Sequence, residues 1–362
     1  MADDQSIFSM NDHVTLVTQS SLHYLDSAVA QSQLWDGPIS YALYLPSWTL
    51  IKSIHISLLA LRNCASDFKR KVSIHFFYPS AKDSLSPCPI HNISPDLLLN
   101  FSDCNFSLDN LLNKIMPQHP NTLAKTKSYP VNTGRNVARR ASSTLLSLVA
   151  DVELMPSSNF VNMFMEFYKT RHTSRPKQAF VLPVFELDIN RPLPPTKDRL
   201  HEEARNELAL PFHSKRIAYE CHRIPSLSKW WHAGSSNRSR LGIFASTPWI
   251  RPCWEPVFLS LSSETPFYDE RFRGYGKNKI QQVYEMCRAN FTFYILDNAF
   301  FVHHNISVLS EREWNEISYT VTQNNALYER FRRELDTLYT NSFQREYCDK
   351  IVGLGTPFVR RL

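Results

Sequence analysis

Thr144-Leu-Leu-Ser-Leu-Val-Ala150, running straight into Asp151-Val152-Glu153, is the stretch on which the reading of this chain turns. An almost unbroken apolar run of this length reads as a central parallel strand covered on both faces. Ligands of open α/β sheets bind beyond the carboxyl ends of the strands, where these two acids fall. Asp151 and Glu153, one residue apart where the chain bends, can both reach a hard divalent cation. A cation there can bridge a diphosphate and neutralise the charge that grows as it departs. A plainer reading stays open, in which Asp151 caps a helix starting near Pro156-Ser157 and Glu153 is solvated.

The elements on either side support a sheet. His13 to Thr18 reads as a buried strand, Ser20 to Trp35 as a helix capped by a serine, and Ile39 to Leu45 as a second strand. Trp48 to Asn63 has helical spacing and Val72 to Tyr78 is a third strand, so this alternation predicts a parallel sheet with right-handed crossovers. Ser84 to Asn105 is Pro- and Ser-rich and reads as a loop, and a helix is expected over about Asn132 to Ser143. Beyond Glu153, strands are expected at Ala179 to Phe185, at Trp254 to Ser260 and twice within Phe291 to Val302. Thr196 to Leu208 and Lys277 to Cys287 read as helices, residues 211 to 253 as irregular, and Glu311 to Tyr347 as a charged, helical outer appendage. No linker divides the chain, which reads as one mixed α/β domain with a helical tail.

Composition excludes several function classes. Of the 362 residues, 43% are hydrophobic and 20% charged, an ordinary globular balance. Only 8 are glycine. Gly274 and Gly276 could open a Gly-x-Gly-x-x-Gly dinucleotide fingerprint, but Lys279 stands where the third glycine belongs. Gly276-Lys277-Asn278 lacks the upstream glycine and the hydroxyl of a Walker loop, and His201-Glu202-Glu203 lacks the second histidine of a zincin helix. No Gly-x-Ser-x-Gly elbow occurs. The 7 cysteines include no Cys-x-x-Cys pair, which argues against a zinc cluster, and their odd number leaves at least one thiol unpaired within the chain. The net charge of +6 is scattered, so no nucleic-acid partner is expected. No apolar run reaches the roughly 18 residues of a membrane span. Asp3, Asp4 and Asp12 carry the wrong charge for a signal peptide, so neither anchor nor leader is expected. Sequons, among them Asn92, Asn105, Asn237, Asn290 and Asn305, are about as many as chance gives.

Other residues could carry chemistry. His303 ends the apolar run Asp297-Asn-Ala-Phe-Phe-Val302, and an imidazole suits metals that also take carboxylates. A structural histidine is the alternative, and His304 beside it leaves the choice of ligand open. Arg135 and Arg139 share a helix face at i,i+4 spacing and could hold phosphate or carboxylate bidentately, or form a solvated basic face with Arg140. Glu255, in Trp254-Glu-Pro256, and Asp269, in Phe267-Tyr-Asp-Glu-Arg-Phe272, place acids among aromatics. A displacement at a sugar carbon needs such a base, although Glu255 could equally pair with an arginine.

Taken in order, these stretches resemble glycosyltransferase family 49. The resemblance rests on Val14-Thr-Leu-Val-Thr-Gln-Ser-Ser21, Leu34-Trp-Asp-Gly-Pro-Ile-Ser-Tyr-Ala-Leu-Tyr-Leu45, Tyr129-Pro-Val-Asn-Thr-Gly-Arg-Asn136 and Ala150-Asp-Val-Glu-Leu-Met-Pro-Ser157. It continues with Trp254-Glu-Pro256, Tyr268-Asp-Glu-Arg-Phe272, Gly274-Tyr-Gly-Lys-Asn-Lys279 and Leu296-Asp-Asn-Ala-Phe-Phe-Val-His303. It implies an α/β fold of the GT-A type, a mixed and mostly parallel sheet flanked by helices. The N-terminal segment would be 1–12, the GT-A domain 13–305 and a C-terminal helical extension 306–362. The implied chemistry is Mn²⁺-dependent inverting transfer from a UDP-sugar, UDP-glucuronic acid foremost, to a xylose- or galactose-terminated glycan on a glycoprotein. The resemblance puts Asp151 and Glu153 in the Asp-x-Asp metal motif and His303 in the late metal-ligand position. Thr18 falls where uridine binds, and Asn132, Arg135 and Asn136, with Asp151, where the donor is held. The base falls to Asp269 or Glu255, with Asp269 placed first. Family members are Golgi membrane proteins, which extends the expectation to a homodimer or a complex with other Golgi glycosyltransferases.

One departure bears on the metal. Glu153 is one methylene longer than the usual Asp, and a misplacement near 1 Å can cost about a hundredfold in rate. Three functions are compatible with these residues. The first is an active glucuronyltransferase, with an N-acetylglucosaminyltransferase of the same fold as its variant. The second is a catalytically silent relative that binds glycans or partner enzymes. The third is a basic module for phosphorylated or nucleic-acid ligands.

Overall fold

A computed structural model describes residues 8–45, 51–79, 129–171, 177–215, 219–233, 240–306 and 311–354. The loop expected over Ser84 to Asn105 lies outside the described residues. Strand β1 (Val14–Ser20) is buried at every position and leads through a single 3-10 turn into α1 (Leu25–Leu34). Ser21 precedes that turn but its side chain caps neither it nor α1, contrary to the expected serine cap. There follow β2 (Ile39–Tyr44), α2 (Ile51–Cys64), the short α3 (Ser66–Lys71), which the sequence reading missed, and β3 (Val72–Phe77). After α4 (Val131–Arg140) comes the decisive strand, β4 (Leu146–Val149). The expected parallel run is present as β3-β2-β1-β4, with Leu16 beside both Ile39 and Leu148.

No helix starts at Pro156, so Asp151 is not a helix cap. The chain instead forms β5 (Leu154–Pro156) before α5 (Phe160–Thr170). The strand expected over Ala179 to Phe185 is two strands, β6 (Gln178–Leu182) and β7 (Val184–Leu187), in different sheets. Pro183 separates them. Without an N–H it cannot continue a ladder, and there the chain leaves one sheet for the other. Next come α6 (Lys197–Arg205), capped by the Thr196 side chain, and β8 (Ala209–Pro211). The region expected to be irregular holds α7 (Tyr219–His222), α8 (Leu227–Trp230) and edge strand β9 (Ile243–Thr247). Beyond it lie β10 (Val257–Leu261), α9 (Ile280–Arg288), β11 (Thr292–Leu296), β12 (Phe301–His304), α10 (Glu311–Leu338) and α11 (Ser342–Gly353).

The main sheet has the order β3-β2-β1-β4-β10-β6-β11-β9, and a smaller one has the order β5-β12-β7-β8. In the main sheet β10 runs antiparallel to both neighbours, which makes it mixed. The period-2 alternation of strands divides the interior into two layers. Phe180, Leu182, Tyr294 and Leu296 join the core under α1 and α5, whereas Ala179, Val181, Phe293 and Ile295 join a second core rich in tryptophan.

The C-terminal helices form an extension, but not an outer one. Tyr328, Phe331 and Leu335 of α10 are at most 5% exposed and belong to the second core. The Cys287–Cys348 disulfide fastens α11 to α9, and closing so long a loop contributes on the order of 2–4 kcal/mol. A second disulfide joins Cys221 to Cys253.

Candidate active site

Asp151 lies just beyond β4, at the carboxyl edge of the parallel strands. Its backbone is held from behind. Gln31 of α1, fully buried, donates through Nε2 to the carbonyls of Asp151 (3.1 Å) and Leu154 (2.9 Å). Two cations meet its carboxylate, Lys279 Nζ at 2.7 Å from Oδ2 and Arg135 Nη2 at 3.2 Å from Oδ1. Burial opposes ionisation here, but Lys279 and Arg135 outweigh it and hold the carboxyl far below the usual carboxylate range.

Arg135 comes from α4, whose inner face is polar and buried. Its Nη1 also donates to Asn132 Oδ1 (2.9 Å) and Asn278 Oδ1 (3.0 Å), and its guanidinium lies over the Tyr268 ring. Asn132 Nδ2 bonds the carbonyls of Asp269 and Asn278, each at 2.9 Å. Asn136 exchanges hydrogen bonds with the backbone of Tyr268 and also bonds Glu270. Gly134 lets the helix close on the sheet, since a Cβ there would come within 2.7 Å of the Phe77 ring.

Arg139 shares the helix but not the task. It is 4% exposed, and its guanidinium donates to the carbonyls of Ser262 (2.7 Å), Pro266 (2.6 Å) and Thr265. The phosphate-holding pair drawn from i,i+4 spacing is therefore divided between one arginine at the carboxylate and one that clamps a loop. Arg139→Met strands three carbonyls and should lower stability by about 2–4 kcal/mol. Urea unfolding checks this, and an unchanged midpoint would remove the clamp.

The two acids considered as bases differ in their surroundings. Asp269 is chelated by Arg271, which contacts both carboxylate oxygens and also reaches Glu334 on α10. A carboxylate so paired has its lone pairs engaged. Glu255 shares its electrostatic surroundings with Asp151. Burial pushes its pKa up, against the pull of Lys279 and Arg135. Its backbone N–H donates to the carbonyl of Cys221, a half-cystine.

His303 and Glu153 approach each other across the small sheet, Nε2 to Oε1 at 3.9 Å, with His303 Nδ1 on the carbonyl of Asn305 at 2.9 Å. Two ligands each about 2.1 Å from one ion can stand up to roughly 4.2 Å apart, so this spacing suits a shared cation. His304 is exposed and His303 less so, which separates the two candidates. Among the described residues no three His, Cys, Asp or Glu side chains form a ready metal cage, and Asp151 is paired with Lys279 and Arg135. In kind, two carboxylates and an imidazole fit a Mn-type ion.

Thr18 lies within β1 rather than in the following turn, fully buried, with its hydroxyl lacking a hydrogen-bond partner among the described residues. Lys279, Asn278 and Gln31 join the site only in the folded chain. A usable signal existed for the lysine: Lys277 and Lys279 stand at the start of α9, where the helix dipole disfavours cations unless an acid faces them. Nothing local marks Gln31.

A family model described as "Glycosyl-transferase for dystroglycan" matches residues 13–340. β-1,4-Glucuronyltransferase 1 of Mus musculus is 28% identical over 334 residues, covering 92% of this chain and 77% of that protein. Xylosyl- and glucuronyltransferase LARGE1 of Danio rerio is 24% identical over 297 residues, 81% of this chain and 31% of that protein. The solved structure of GalNAc-T7 with UDP, GalNAc and Mn²⁺ aligns with 87% of this chain and 48% of that one, at 8% identity and a TM-score of 0.41.

Proposed function

The chain belongs to glycosyltransferase family 49, and from that membership we propose that it transfers glucuronic acid from UDP-glucuronic acid to a glycan hydroxyl, with a divalent cation beside Asp151. It has the GT-A type of α/β fold and is a UDP-sugar-dependent glycosyltransferase. The observation that carries the finer reading is the Lys279–Asp151–Arg135 constellation at the carboxyl end of β4. Two cations and an ionised acid converge where a departing diphosphate needs its charge stabilised.

Asp151, Glu153 and His303 would hold the metal, which when bound supplies charge neutralisation at the diphosphate. Arg135 and Lys279 are fixed donors facing the same region, suited to the donor's diphosphate or its sugar carboxylate. Uridine falls to the end of β1, near Thr18. Glu255 is the better base: among the described residues no arginine chelates it as Arg271 does Asp269, and its raised pKa suits accepting the acceptor hydroxyl's proton. Asn132 and Asn136 act through the backbone of residues 268–278 rather than on the donor.

The acceptor is a glycan, and we place the reaction in the lumen of the secretory route. Every described cysteine is disulfide-bonded, which fits an oxidising compartment. No described helix is long and apolar enough to cross a membrane. The sequon asparagine Asn290 is exposed between α9 and β11. Peptide mapping of protein from a secretory host should find a glycan on Asn290, and full absence would count against lumenal residence.

The test of function is UDP release from a panel of UDP-sugars, with and without Mn²⁺, on xyloside and galactoside acceptors. Metal-dependent turnover of UDP-glucuronic acid is expected. Preference for UDP-N-acetylglucosamine would overturn the donor alone. Silence from a folded sample, with no Mn²⁺-dependent thermal shift by UDP, would favour the silent relative that Glu153 leaves open.

A further inference from the structure

We infer that α10 is part of the donor site, and that Asn324 is a positioning residue for the loop carrying Asn278 and Lys279. The inference rests on the reading that Lys279 and Arg135 face the donor. Asn324 is 4% exposed, and its Nδ2 donates to three carbonyls of that loop, Arg273 (2.9 Å), Tyr275 (3.0 Å) and Gly276 (2.8 Å).

That loop needs an external hold. Gly274 (φ +61°), Gly276 (φ +92°) and Lys277 (φ +58°) all adopt left-handed backbone, and for the lysine this conformation is strained. Strained functional backbone persists only where its surroundings over-determine it. One stripe of α10 supplies those surroundings. Thr320 and Val321 press on Gly274 and Gly276 so closely that an added Cβ would meet them at 3.3 and 3.2 Å. Two turns further along, Tyr328 lies under the Lys277 ammonium, then Phe331 meets Phe272 edge-on and Glu334 pairs with Arg271.

The other side of the loop faces the chemistry. Asn278 Nδ2 ties back to the Gly274 carbonyl (2.7 Å), its Oδ1 accepts from Arg135, and Lys279 reaches Asp151. Asn324 thus fixes the backbone whose next residues place two of the groups around Asp151. Three carbonyls of one short loop on one buried amide exceed what packing a helix requires.

Asn324→Ala and Asn324→Asp test this, with Leu335→Ala as a variant of the same helix that weakens packing without touching the loop. Each is assayed well below its own melting temperature for donor KM, acceptor KM and kcat. Hydrogen exchange of residues 273–279 is followed in parallel. Asn324→Ala should raise donor KM about tenfold, leave acceptor KM within about twofold and speed exchange of the loop amides. Asn324→Asp should do worse, since an ionised carboxylate would then face three carbonyl oxygens. Leu335→Ala should lower the melting temperature with donor KM unchanged. Equal rises in donor KM for Asn324→Ala and Leu335→Ala would reduce Asn324 to a structural residue and overturn the inference. So would faster exchange with donor KM unmoved, or unaltered exchange. Parent protein that turns over no donor and binds no UDP would instead overturn the functional reading, and this is measured before any variant.

Discussion

Asp151→Asn should lower kcat/KM for sugar transfer by about a thousandfold, roughly 4 kcal/mol of transition-state stabilisation, in a chain that still folds. The size follows from what the carboxylate does. It is ionised against the cost of burial, it organises Lys279 and Arg135, and it is the acid nearest the decisive strand end. The amide keeps the shape but removes the charge that balances two cations and would draw a metal. The cost in stability should be only about 1 kcal/mol, because the Asp151 side chain is 39% exposed and its pairs are screened. Arg135 also retains Asn132 and Asn278 as acceptors. The pH dependence has a definite sign. A carboxyl with a depressed folded pKa contributes stability that is complete above its unfolded value near 4 and is lost as pH falls through the folded value. The parent should therefore lose this contribution only in acid, and the variant should lack that part of the acid transition. Steady-state kinetics with thermal unfolding at pH 7 and pH 3 checks both halves. Activity within tenfold of the parent would remove Asp151 from the chemistry.

Glu255→Gln should lower kcat by about 10²–10⁴, the usual contribution of a positioned general base. The parent's kcat/KM should fall on the acid side through a pKa above the ordinary glutamate value, because burial raises Glu255 despite Lys279 and Arg135. The glutamine variant should lose that limb. Stability should move the other way. A carboxyl whose folded pKa is raised contributes stability that is complete below its unfolded pKa and is lost as pH rises through the folded one. At neutral pH the parent therefore carries a destabilising charge, and the variant should melt slightly higher, as replaced active-site acids often do. Asp269→Asn is the companion variant, expected to change kcat by less than about tenfold, since Arg271 already holds that carboxylate. A larger loss from Asp269→Asn than from Glu255→Gln would return the base to Asp269.

Much of the fold was legible because burial patterns are local. Strands covered on both faces are rich in apolar and β-branched residues, and β1, β2 and β4 announced themselves in this way, with the helical spacing of α2 between β2 and β3. Where the signal was ambiguous, a single residue decided it: Pro183 breaks one apolar run into two strands of two sheets. The amphipathic stripe of α10 was hidden beneath its charge, so it read as an outer appendage although Tyr328, Phe331 and Leu335 are core.

The site was legible as a set of residues and much less as a set of roles. The order of short motifs from Val14 to His303 was enough to identify the family, because collinear spacing survives where individual contacts diverge. Partnership was left to the tertiary structure. Lys279 is 128 positions from Asp151, and Arg271 meets Glu334 across 63. An arginine on a helix face looks alike in sequence whether it meets a carboxylate, as Arg135 does, or three carbonyls, as Arg139 does. Composition and periodicity determined where most strands and helices fall and that the first strands run parallel, since burial depends on each residue's own chemistry. Which charge meets which depends on how distant segments close on one another, and that only the folded chain decided.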